Sequence, residues 1–245
     1  MKLTRVIALV LGIFVLISSG GFSATAYASS SNGWSSSNLD KGSGVAALLG
    51  VADSGEIYRV CTVTHVGDGI WLTAKHCLNS GGVLPKIRVE SGEVLAVNGF
   101  KMADDGRDLA LLRTEGDPDV PTVKIAKAFP GIGSVVEVSV LRAGYKSSVR
   151  LPMVLKGRLD RIETEEGWTF SDVFVLESAS HQKPCPGDSG APVVVSGEIV
   201  GVHSAGNKQH DCQGPYGSAS IATFVSPEDL TSRENFETLE GKVSG

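Results

Sequence analysis

From Val45 to Val225 the chain is a succession of short apolar, β-branched runs, each closed by glycine, proline, serine, asparagine or aspartate. Runs this short, with breaks this frequent, cannot build long helices, but they suit strands joined by tight turns. The first series comprises Val45–Val51, Tyr58–Thr64, Ile70–Thr73, Lys86–Val89, Val94–Val97 and Leu109–Arg113. Gly67-Asp68-Gly69 and Ser80-Gly81-Gly82 are typical breaks. After Pro130-Gly131 a second series follows: Val135–Leu141, Val149–Leu155, Val173–Glu177, Pro192–Val195, Ile199–His203 and Ile221–Val225, with Ser196-Gly197 as a tight hairpin. Two matched sets predict an all-β protein of two antiparallel six-stranded β-barrels or sandwiches, at about 45–125 and about 130–225, divided within Glu115–Gly133. The 30 glycines and 10 prolines supply the turns, and a hydrophobic fraction of 42% supplies two cores.

The ends read differently. Lys2 and Arg5 precede an apolar run from Val6 to Ile17, and Ala26-Tyr27-Ala28 gives the small-x-small pattern of a secretory cleavage site, so residues 1–28 are expected to be a signal peptide. The run is too short for the roughly 20 residues of a comfortable membrane span, so no stable membrane insertion is expected after cleavage. Residues 29–44 are a Ser/Asn-rich linker or a short pro-segment, and 45–245 the folded domain. Ser226-Pro227-Glu228-Asp229 has the order of a helix start, which predicts a short C-terminal helix over about 226–236. The formal charge of −5, with no basic stripe, excludes a nucleic-acid binder. Export implies an oxidising compartment, extracellular or in the cell envelope. There Cys61, Cys77, Cys185 and Cys212 would form two disulfides, in any of three pairings. No metal-ligand spacing occurs, and no cofactor motif, so neither is expected.

One stretch carries chemistry. In Cys185-Pro186-Gly187-Asp188-Ser189-Gly190-Ala191-Pro192 a serine stands among glycines and prolines. Glycine admits positive φ and close approach of a ligand, and proline restricts the chain. Such a turn can hold one hydroxyl outward with backbone N–H groups aimed at the same point, as a nucleophile with an oxyanion hole requires. By itself the octapeptide has a Gly/Pro turn between two strands as its lesser alternative, and a base and an orienting acid have to come from elsewhere. Leu72-Thr73-Ala74-Lys75-His76-Cys77 places a histidine at the end of an apolar strand. Asp108-Leu109-Ala110-Leu111-Leu112 places a carboxylate at the start of another, with Asp104 and Asp105 as competing acids.

The three motifs, in the order His, Asp, Ser, resemble those of the chymotrypsin-like serine protease family: TAAHC, D-[IL]-A-L-L and GDSGGP. Lys75 and Ala191 are the departures, each from a small residue of the family pattern. The resemblance covers most of the chain after Val45. It implies a secreted serine endopeptidase acting on polypeptides, without a cofactor and as a monomer. Ser189 would be the nucleophile, His76 the general base and then acid, Asp108 the group holding the imidazole, and the Gly187 and Ser189 N–H groups the oxyanion hole. It also implies the pairs Cys61–Cys77, clamping the histidine loop, and Cys185–Cys212, stapling the walls of the substrate pocket. A protease-fold binding protein without activity is the alternative, although no triad member is missing.

The resemblance also points to a pocket. Lys183, six residues before Ser189, falls at the floor of the primary specificity pocket. Gly201-Val202-His203-Ser204-Ala205-Gly206 is similar to the strand along its wall, with Ser204 near the triad aspartate and Ala205 and Gly206 lining the peptide groove. A cation at the floor disfavours a basic substrate side chain. His203 is similar to the carboxylate-binding histidine of bacterial glutamyl endopeptidases of this fold. The two together imply cleavage after Glu or Asp, against a reading in which Lys183 faces solvent and His203 only packs. In the family the acid before the nucleophile, here Asp188, commonly pairs with an amino terminus freed before Ile-Val-Gly-Gly. That motif is absent, which leaves an internal cation as the other possible partner.

Overall fold

The computed structural model describes residues 43–51, 54–78, 86–142, 147–164, 167–206, 212–231 and 236–238. The expected signal peptide, and the linker apart from Ser43 and Gly44, lie outside the described residues. Each of the twelve apolar runs is a strand. In barrel one these are β1 (Val45–Val51), β2 (Ile57–Gly67), β3 (Ile70–Thr73), β4 (Lys86–Arg88), β5 (Val94–Met102) and β6 (Ala110–Thr114). In barrel two they are β7 (Val135–Arg142), β8 (Ser147–Glu163), β9 (Thr169–Ser178), β10 (Pro192–Val195), β11 (Glu198–Gly206) and β12 (Ala219–Phe224). Barrel one has the order β5-β4-β1-β2-β3-β6 and is closed by β5–β6 pairing; barrel two is closed in the order β10-β11-β12-β9-β8-β7. All pairings between these strands are antiparallel.

Turn chemistry explains the tightest corners. Asp68 and Gly69 have φ of 55° and 69°, and Ser196 and Gly197 have φ of 52° and 83°, the left-handed pair of a two-residue hairpin whose twist matches the flanking strands. Closing the barrels removes exposed sheet edges and turns alternate residues inward. Leu48, Val63, Trp71, Leu72, Ile87 and Leu112 fill barrel one, and Val138, Leu151, Met153, Phe174, Leu176 and Val193 fill barrel two. Val45, Ala47 and Leu49, on the opposite face of β1, pack with Leu141 of β7 and join the two barrels. The linking segment runs along β11: Ile199 donates its N–H to Lys124 and accepts from Ala126.

The C-terminal segment is shorter than expected. Within the described residues it is a single 3₁₀ turn, Pro227–Leu230, not a helix over 226–236; positions 232–235 lie outside the described residues. Asp229 accepts from the Ser226 N–H at 2.8 Å and is also engaged by Arg107, so the first turn docks on barrel one instead of propagating. The chain then adds a short strand, β13 (Glu237–Thr238), to the edge of β5. Among the described residues no helix is long and apolar enough to cross a membrane.

Candidate active site

Strand pairing in barrel one brings the base and acid together. β3 and β6 are antiparallel with Thr73 opposite Ala110, so the chain leaving β3 and the chain entering β6 lie side by side at one barrel end. His76 sits in a 3₁₀ turn directly after β3, Lys75–Leu78, and Asp108 stands two residues before β6. Asp108 holds the histidine twice: its Oδ1 accepts the His76 backbone N–H at 2.9 Å, and its Oδ2 lies 2.8 Å from His76 Nδ1. Asp108 is 3% exposed. Burial alone would raise its pKa, but the imidazole, the His76 N–H and the Ser204 hydroxyl together hold the carboxyl below its ordinary range. Asp105, a competing acid, is instead bonded to Arg107 at 2.6 Å.

The serine turn is built between the barrels. Gly190 donates to His203 O and His203 donates to Ala191 O, which zips the turn to β11, while Thr62 of β2 donates to Ser189 O at 2.8 Å. Gly187 and Gly190 have φ of 89° and 85°. At Gly190 the need for glycine is double, because a Cβ there would also overlap the Thr62 carbonyl oxygen and the Thr73 hydroxyl. Ala191 is fully buried and is not among the positive-φ residues, so its methyl group is tolerated where the family pattern has glycine. The Ser189 hydroxyl donates to Ser204 O at 3.3 Å. Among the described residues the N–H groups of Gly187 and Ser189 have no hydrogen-bond partner, the condition for receiving an anion there.

A β-bulge on β11 between His203 and Ala205 re-aims Ser204, whose hydroxyl meets Thr223 Oγ1 at 2.9 Å. His203 is buried, and this pushes its pKa down to about 4; Asp188 opposes the shift and His76 adds to it. Among the described residues its Nδ1 and the Ser220 hydroxyl are buried without a hydrogen-bond partner. Both side chains converge on Gly206, whose Cβ would lie 3.7 Å from Ser220 Cβ and 3.8 Å from His203 Cε1. Lys183 does not face solvent: it is 2% exposed, with its stem against Gly214, next to the Ser218 hydroxyl. Ala205 packs with Phe170 and Ile221. The disulfides are Cys61–Cys77 and Cys185–Cys212. Cys61, His76 and Cys77 cluster closely, but both sulfurs are consumed by the first bridge.

Some neighbours of the site are not foreseen from the sequence motifs. Lys75, the departure before the histidine, reaches across to Ala103 O at 2.8 Å and ties the histidine loop to the loop before Asp108. Trp168, just before β9, and Phe170, at its start, place their rings 6.3 and 6.4 Å from the imidazole. Asp188 is completely buried against Arg59 and Arg142. An arginine inside the apolar run of β2 is the one signal the sequence offers for this pair.

Two closed six-stranded antiparallel barrels define the chymotrypsin-like class of protein. The trypsin family model matches residues 40–226, and the chain belongs to that family. It is 30% identical to trypsin epsilon of Drosophila erecta over 191 residues, covering 67% of this chain and 75% of that protein. Among solved structures, the active form of the Rv3671c protease from M. tuberculosis matches with a TM-score of 0.58 and 16% identity, over 76% of this chain and 78% of that one. Kallikrein-related peptidase 10 also matches, with a TM-score of 0.58 and 15% identity, over 75% and 90%. At these identities the structural matches speak to the fold.

Proposed function

We propose that the chain is a secreted serine endopeptidase that forms an acyl-enzyme on Ser189. The observation that carries this is the doubly held His76–Asp108 pair, together with a serine whose turn offers two N–H groups without a partner among the described residues. In this reading the Ser189 hydroxyl leaves Ser204 O and His76 Nε2 takes its proton as Oγ attacks the substrate carbonyl carbon. Asp108 keeps Nδ1 protonated and balances the imidazolium. The oxygen that gains charge is received by the Gly187 and Ser189 N–H groups. His76 then gives its proton to the leaving amine, and water repeats the sequence to release the acid. Such a donor is worth roughly 3 kcal/mol of barrier. Membership of the trypsin family and the two disulfides accord with a polypeptide substrate and an extracellular location. The test is hydrolysis of a peptide library by the processed chain. Cleavage abolished by Ser189→Ala is expected; equal cleavage by that variant, or none by the parent, overturns the proposal.

Within this reading the pocket favours an acidic residue on the acyl side of the cut bond. Lys183 is buried, and the His203 Nδ1 and Ser220 hydroxyl, which have no hydrogen-bond partner among the described residues, belong to side chains that lie beside Gly206. A neutral His203 contributes a hydrogen bond, and the charge comes from Lys183. The same library decides the point: cleavage after Glu or Asp supports the pocket, and cleavage after Lys, Arg or Leu with acidic peptides ignored contradicts it.

A further inference from the structure

Lys75 is where the histidine motif departs from the family pattern, and its side chain acts on the loop that carries Asp108. That loop is the return from β5 to β6. Its last rung is one-sided. Ala103 donates its N–H to Leu109 O at 2.9 Å, one step past the Met102–Ala110 pair, yet among the described residues no backbone N–H reaches Ala103 O. Lys75 fills that place, its Nζ donating to Ala103 O at 2.8 Å. The next residue, His76, donates its N–H to Asp108 Oδ1 at 2.9 Å, so two successive residues of one turn hold the loop by both arms. The turn itself is pinned on its other side, where Cys77 is bridged to Cys61 of β2 and donates its N–H to Ala74 O. Between the arms, the tip of the loop rests on barrel two: Ser171 of β9 donates to Gly106 O at 3.0 Å. Asp105 and Asp108 are engaged by Arg107 and His76, and the ammonium goes to the carbonyl. The tie needs both length and a donor. An alanine, as in the family pattern, stops at Cβ. A lysine carries its charge on a flexible four-carbon stem and makes a charge-assisted bond, stronger than a neutral one.

We infer that Lys75 is a positioning residue for the hydrolysis: it fixes the Asp108 loop against the histidine turn, at the distance from which Asp108 orients the imidazole. The inference rests on the peptidase reading above. Without the tie, the Ala103 arm turns to water. The Asp108 arm is then held by the Ser204 hydroxyl and by the very histidine that it has to orient. A displacement of about 1 Å at such a group can cost about a hundredfold in rate, so even a partial relaxation of the loop is visible in kinetics.

The test labels the folded, processed chain with a fluorophosphonate probe and follows its amides by hydrogen exchange. Lys75→Met keeps the stem and loses the donors, Lys75→Arg keeps a donor, and Lys75→Ala restores the family residue. Lys75→Met and Lys75→Ala are expected to lower the maximal labelling rate about tenfold or more. The half-saturating probe concentration should change less than about twofold, and labelling should still run to completion. Lys75→Arg is expected to recover most of the rate. In Lys75→Met, exchange should quicken over 103–109 and stay as in the parent over the 185–191 turn. Parental rates in both donor-free variants, or equal losses in Lys75→Arg and Lys75→Met, overturn the inference. So does a slowed Lys75→Met whose 103–109 amides exchange as in the parent. A smaller labelled fraction at the parental rate marks a merely structural residue and overturns it as well. If Lys75→Met has no cooperative melt, Lys75→Ala decides. A parent that never labels overturns the peptidase reading instead, and the tie is then judged from exchange over 103–109 alone.

Discussion

His203 makes the fold acid-sensitive between about pH 6.5 and about 4. It is held neutral by burial, bonded to the Ile221 backbone, and faced by Asp188, His76 and Asp108, with its pKa lowered from 6.5 to about 4. In the unfolded chain the same side chain takes a proton near 6.5. Between those values the unfolded state binds more protons than the folded one, so stability is complete above about pH 6.5 and falls as the pH drops toward 4. At 1.36 kcal/mol per pH unit, lowering the pH from about 7.5 to about 4.5 costs about 2.5 kcal/mol from this residue. The assay is urea unfolding at a series of pH values, in a Ser189→Ala background to prevent self-digestion, with and without His203→Gln. The difference between the two curves should flatten above neutrality and change by about one proton per pH unit below it. Parallel curves down to about pH 4.5 would refute the assignment of a buried neutral imidazole.

Three further outcomes follow from local geometry. Gly190→Ala, which places a Cβ on the Thr62 carbonyl at a left-handed φ, should cost roughly 3 kcal/mol or more, seen as a lowered thermal midpoint and loss of serine labelling. Arg107 joins the loop before Asp108 to Asp229, whose burial is more than offset by that guanidinium so that its carboxyl stays below the usual range. Asp229→Asn should cost about 2 kcal/mol near neutrality, and the loss should vanish as the pH falls through the lowered carboxyl value in the parent. Selective reduction of Cys61–Cys77, which spans 16 positions, should cost roughly 3 kcal/mol in urea unfolding.

The sequence made the barrels legible because short apolar, β-branched runs and the turn residues that close them are local signals: Val45–Val51, Ile70–Thr73 and Pro192–Val195 have the bounds expected of them. Strand lengths were less legible. β8 extends to Glu163 because its pairing with β9 continues past the apolar core, where Arg158 meets Asp172 on the exposed face. A short helix was expected at the C-terminus because its first four residues have helical capping order, yet Asp229 serves Arg107, 122 positions away. The partner of Asp188 was the least readable feature. It depends on a bulge that moves Arg59 from one face of β2 to the other, and periodicity alone does not reveal a register shift. Only the resemblance to the family suggests a pocket position for Lys183, and its burial beside Gly214 comes from tertiary packing.

The claim that Ser189, His76 and Asp108 act as one unit is tested most directly by mass-mapping a fluorophosphonate adduct on the folded, processed chain. The account predicts a single adduct on Ser189, slowed at least about a hundredfold by His76→Ala or Asp108→Asn and absent in Ser189→Ala. An adduct on another residue, none at all, or labelling indifferent to His76 would contradict it.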